Sequence, residues 1–153
     1  MAVNWANLGE LKRNATDFTE PWWLIGDAIE GVNTLKITAK GEWELPVAGA
    51  AITCGPNGAP GLPIIAESRL LATFAAGALV GKLGGSTAGV DLSAAAAAAD
   101  GKASPSPIFP IGETCLRPLP EHDHGPLFIS FNFTSRPIRI KTLEVILWGA
   151  MLA

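Results

Sequence analysis

"PLFISFNF", residues Pro126–Phe133, decides the fold. In an extended chain Leu127, Ile129, Phe131 and Phe133 share one side, and Phe128, Ser130 and Asn132 share the other. A period of two sustained over eight residues describes a strand with one face on a core. Two further stretches repeat it. In "TLKITAKGEW" (Thr34–Trp43) Leu35 and Ile37 oppose Lys36 and Thr38, and in "RIKTLEVILW" (Arg139–Trp148) Leu143, Val145 and Leu147 align. Between such runs fall 17 glycines and 12 prolines, punctuation that suits many short strands better than a few long helices. The expected fold is all-β, a two-sheet sandwich or jelly roll of about eight strands.

Two segments compete with that reading. "NLGELKRNATDF" (Asn7–Phe18) fits one or two helical turns as well as a strand, although Gly9 weakens the helix. The alanines Ala94–Ala99 favour helix locally, but so short a run cannot nucleate one alone. Residues 91–107 are therefore expected to be an exposed, flexible connection with at most one helical turn, inside a single domain spanning 1–153.

Composition narrows the function classes. The chain is 48% hydrophobic and 16% charged, greasier than most small soluble domains. That surface calls for a deep core or contact with other subunits, and the uncharged end "VILWGAMLA" (Val145–Ala153) should close the core or dock on a neighbour. A homo-oligomer or a subunit of a larger assembly is expected. Its longest uncharged apolar run, Leu70–Gly81, is too short for a bilayer, which needs roughly 20 residues. "MAVNWANLGELKRN" lacks the pattern of a secretory leader, so the expectation is a soluble chain, cytoplasmic or exported without a Sec signal. On that ground the acceptor triplets at Asn14 and Asn132 are discounted for glycosylation.

A net charge of −3 argues against a nucleic-acid partner, and the basic stretch "RPIRIK" (Arg136–Lys141) alternates like the wet face of a strand. Cys54 and Cys115 match no zinc or CxxC spacing, leaving two buried thiols or a single disulfide.

The landmarks "LKITAKGEW", "CGPNGAPG", "GALVGKLGG" and "IFPIGETCLRPLPEHDHGPLFISFNF" occur in that order between Thr34 and Thr134. Together they resemble the bacterial galactose-binding lectins of the PA-IL type and related jelly-roll domains. The resemblance implies a galactose-binding-like β-sandwich and a non-catalytic, lectin-like carbohydrate-binding function. A sugar site would then draw on Asn57, Asn132, Thr134 and Trp43. In the same terms the glycines at 77, 81, 84 and 85 let the sheets approach closely and then diverge.

The resemblance also implies a calcium ion that clasps two sugar hydroxyls, held by carboxylate, amide and backbone oxygens. Here the acidic ligand is missing: Phe133 follows Asn132 where the family has aspartate. "TSRPIRIK" (Thr134–Lys141) carries three cations and no carboxylate, and "APGLPIIAES" (Ala59–Ser68) offers Glu67 in place of the family's histidine. The expectation is a degenerate calcium site and no required cofactor. The alternative function is a structural or assembly subunit of the same fold that contacts other protein chains.

Other candidates are weaker. His122, Asp123 and His124 in "PEHDHG" could supply imidazoles and a carboxylate to zinc or copper, but no further ligand is evident and a solvated turn is the preferred reading. The adjacent Trp22 and Trp23 cannot both face one core if extended. Glu42 and Glu44 share a strand face, the minimum for glycosidase chemistry, yet no nucleophile context supports an enzyme.

Overall fold

The computed structural model describes residues 3–20, 22–29, 32–47, 50–59, 61, 69–71, 73–83, 108–119, 125–135 and 137–152. Nine strands and no helix run through them: β1 (Val3–Phe18), β2 (Trp23–Ile29), β3 (Thr34–Val47), β4 (Ala50–Cys54), β5 (Leu79–Leu83), β6 (Phe109–Pro110), β7 (Thr114–Pro118), β8 (Gly125–Phe131) and β9 (Ile138–Leu152). Among these residues no helix is long and apolar enough to cross a membrane. The connection at 91–107 and the turn containing His122, Asp123 and His124 lie outside the described residues.

All pairings are antiparallel. One sheet has five strands in the order β1-β9-β3-β4, with β7 also on β3; the other has four in the order β2-β8-β5-β6. β3 is long enough to hold β9 along one edge while its other edge takes β7 at Thr34–Thr38 and β4 at Trp43–Val47. Side chains from both sheets interleave into one core, including Leu35, Ile37, Leu45, Val145 and Leu147 from the first and Leu79, Leu83, Ile129 and Phe131 from the second. The fold is a β-sandwich.

Asn7–Phe18 is strand, which removes the helical alternative. Pairing with β9 from Val3 to Phe18 outweighs the local preference, and two irregularities keep this long edge from being flat. One is a bulge between Asn7 and Gly9, where the Asn7 Oδ1 accepts the Gly9 N–H at 3.0 Å; the other is Ala15 at φ 48°. Such breaks, with Glu10, Lys12, Arg13 and Asp17 along the strand, discourage pairing with a second sheet edge.

The alternation in β8 holds, but the expected wet face is dry. Leu127, Ile129 and Phe131 enter the main core, while Phe128, Ser130 and Asn132 on the opposite side are also buried. A second cluster of Trp22, Leu70, Val80 and Phe128 covers that outer side, with Leu71, Phe74 and Ile108 around it. The ammonium of buried Lys82 lies 4.9 Å from the Trp22 ring and 5.4 Å from the Phe128 ring, where the ring faces favour a cation.

Gly77 shows why "GALVG" begins as it does. Its φ is +81°, and a Cβ there would stand 2.7 Å from Leu45 Cδ1 and 2.9 Å from Cys54 Sγ on the facing sheet. A side chain would therefore be both strained and crowded. Gly81 faces Phe109 and Ile111 as closely, and glycines 84 and 85 lie outside the described residues.

Both cysteines are free thiols. Cys54 pairs with Trp43 and Cys115 with Ile37, six residues apart on β3, about 20 Å and beyond the reach of a disulfide. Burial pushes the Cys54 thiol up to about 11, against a lowering contribution from its contact with Trp43. At pH 8 Cys54 is therefore expected to react with Ellman's reagent roughly a hundredfold more slowly in native protein than in urea. Equal rates in the two states would contradict this placement.

Candidate functional site

The structure brings two of the four sequence-predicted sugar residues, Trp43 and Asn132, onto the stretch that ends at Gly77, but as internal parts. Trp43 alternates with Leu45 onto the core side of β3 and is fully buried. Its Nε1–H donates to the Gly77 carbonyl at 2.9 Å, and its ring meets Phe131 edge-on at 4.8 Å. No face of this indole is left for a sugar ring.

Asn132 follows β8 and is also fully buried. Its Oδ1 accepts the Leu71 N–H at 2.7 Å, and its Nδ2 donates toward the carbonyls of Leu71, Phe74 and Ala75 at 3.0, 3.0 and 3.1 Å. The main chain adds bonds from Asn132 N–H to the Ala78 carbonyl and from Gly77 N–H to the Asn132 carbonyl. Asn132 is the clamp that fixes this turn against the end of the four-stranded sheet. It presents no polar atom to solvent.

Asn57 is exposed on the turn after β4, where its Oδ1 accepts the Glu113 N–H at 3.0 Å and steadies the turn between β6 and β7. Thr134 is half-buried. Phe133, at the position of the family's aspartate, is packed into the main core. The calcium ion implied by the resemblance does not fit these residues, because one position is buried hydrocarbon and the amide beside it is committed to backbone groups. Among the described residues no three His, Cys, Asp or Glu side chains are placed to hold a metal ion.

The surface that remains is the outer face of the five-stranded sheet. Because Leu143, Val145 and Leu147 point inward, Glu144, Ile146 and Trp148 point outward. Register places Asn7, Trp148, Lys36 and Leu116 in one row across β1, β9, β3 and β7, and Trp5, Ala150, Thr34 and Pro118 in the next. Trp5 is 42% and Leu116 63% exposed, Trp148 is half-buried, and the Lys36 ammonium lies 5.9 Å from the Trp5 ring. Trp5 and Trp148 thus sit diagonally on adjacent strands, as an aromatic platform (about 7–8 Å between backbones).

Further along the same strands the face becomes polar. Lys12, Asn14, Lys40, Glu42, Thr142 and Glu144 line an open trough of about 530 Å³. It is shaped by Lys141, an extra residue in β9 that shifts the register against β3, and by Gly41. At φ +149° a Cβ on Gly41 would strike the Thr142 carbonyl, so only glycine lets β3 and β9 approach here. Lys40 pairs with Glu144 at 3.4 Å, and Lys141 lies 3.2 Å from Glu42 and 3.5 Å from Glu44. Those two carboxylates do share a face, with one ammonium between them. The hydrogen bond and charge of Glu42 hold Lys141 above the usual lysine range.

From the sequence, sugar stacking by Trp5 and Trp148 is weighed with the other tryptophans and core packing or a subunit contact is preferred, while Lys12, Lys40 and Glu144 are passed over as a site. The signal was in "RIKTLEVILW", whose alternation fixes the outward residues of β9 as firmly as the inward ones. Neither a protein-family model nor a curated protein matches the chain.

Proposed function

We propose that this protein is a non-catalytic carbohydrate-binding module, a lectin-like jelly roll that grips its ligand on the outer face of the five-stranded sheet. The observation that carries the reading is the exposed Trp5 beside the half-buried Trp148 on the same sheet face as a trough of charged and amide groups. An indole face buries the C–H face of a pyranose, while ammonium donors and carboxylate acceptors exchange water for sugar hydroxyls. The resemblance to galactose-binding lectins supports the class of ligand; Trp43, Asn132 and Phe133 support moving the site away from the loop end.

A second reading, an assembly subunit that contacts protein, is favoured by Leu116 at 63% and Leu24 at 43% exposure, on opposite sheets. A glycan array run with and without chelator, beside a mass measurement in solution, separates the two. Binding to at least one glycan and a rise in melting temperature with that glycan are the expected results. A blank array from a protein that forms a stable oligomer leaves the assembly reading in its place.

A further inference from the structure

We infer that the outer face of the five-stranded sheet takes an internal stretch of an extended, uncharged oligosaccharide, and does so without a metal ion. The inference rests on the carbohydrate reading above and names its ligand class.

Length comes first. Trp148 and Glu144 are four residues apart on β9 and Trp148 and Thr142 six, about 14 and 20 Å along the strand. A single pyranose on the platform cannot also reach the trough. A ligand that uses both runs along β9 as several linked rings, stacked on Trp5 and Trp148 at one end and hydrogen-bonded between Lys12, Lys40 and Glu144 at the other.

Charge comes second. Two lysines, Lys12 and Lys40, and two glutamates, Glu42 and Glu144, line the trough, with Glu144 between the lysines in one row. This balance attracts neither a sulfated or uronic-acid chain nor an amino sugar cation. It supplies both donors and acceptors, which is what hydroxyl groups require.

Area argues against a second copy as occupant. The apolar end covers four strands and about three rows of side chains, on the order of 400 Å² of sheet. A stable dimer buries about 800 Å² per partner, so the contact would have to extend over the ion pairs of Lys40 and Lys141 and strip them of water. A polyhydroxylated chain can replace that water one group at a time.

The test is titration calorimetry with neutral ladders of β-1,4-linked glucose, xylose and mannose oligomers from one to six rings, with galactose alongside, each with and without EDTA. At least one ladder is expected to gain tenfold or more in affinity between one ring and four, with no change on chelation. Trp148→Ala and Trp5→Ala are each expected to weaken the four-ring ligand at least tenfold. If Trp148→Ala does not fold, the more exposed Trp5→Ala and Lys40→Ala serve in its place.

Galactose binding as tightly as any four-ring oligomer, or binding abolished by EDTA, overturns this inference and leaves the carbohydrate reading intact. So does a glycan that binds the array while no ladder binds. A blank array, or a dimer that buries Trp5 and Trp148, overturns both.

Discussion

Replacing Trp43 with alanine is expected to lower the unfolding free energy by about 4 kcal/mol, the middle of the range for deleting a buried aromatic side chain. The residue has no solvent-facing surface, fills the space between β3 and Phe131, and satisfies the Gly77 carbonyl. Trp43→Phe keeps most of the volume and loses the indole N–H, so a smaller loss of about 1–2 kcal/mol is expected. Urea unfolding followed by far-UV circular dichroism measures both. Glycan affinity per folded molecule should be the same in wild type and Trp43→Phe. A stable Trp43→Ala variant with selective loss of glycan binding would instead put the site back at the loop end.

Asn132→Asp changes one atom of the side chain and is expected to cost about 3–5 kcal/mol at neutral pH. The two amide hydrogens that face the carbonyls of Leu71, Phe74 and Ala75 disappear, and a carboxylate is set against three carbonyl oxygens. Burial and these oxygens disfavour the charged form, so the folded-state pKa of the new aspartate lies above its unfolded value of about 3.9. The folded state then holds the proton more tightly, and stability falls as pH rises through that interval. The variant should therefore be most native-like near pH 4 and lose stability toward pH 7, relative to wild type at each pH. A pH-independent difference, or a gain in calcium binding by Asn132→Asp, would contradict the clamp role.

How far the sequence reveals this molecule depends on the range of the interaction. Leu35 and Ile37, Leu127 and Ile129, and Leu143 and Val145 face the core as their alternation requires. The pattern stands because one sheet face must leave water. Asn7–Phe18 was ambiguous because its strand form comes from pairing with β9, more than a hundred residues away, and not from local preference.

The dry outer side of β8 was illegible for a related reason. Ser130 and Asn132 look solvated by type, and only the distant turn at Leu71–Ala75 shows that Asn132 is held inside. Trp43 is a different case. Its position in line with Leu35, Ile37 and Leu45 marks it as buried, yet the flanking Glu42 and Glu44 suggest a surface. The alternation was the better guide, and it also places Trp148 outward.

The most direct measurement follows the tryptophan indole N–H signals by ¹H–¹⁵N NMR during titration with the longest-binding neutral oligosaccharide. Trp5 and Trp148 are expected to shift in proportion to occupancy, while Trp22 and Trp43, both fully buried, stay in place. Shifts confined to Trp43 and the backbone around Asn57 and Thr134, with Trp5 and Trp148 unmoved, would contradict the assignment of the five-stranded sheet as the contact surface.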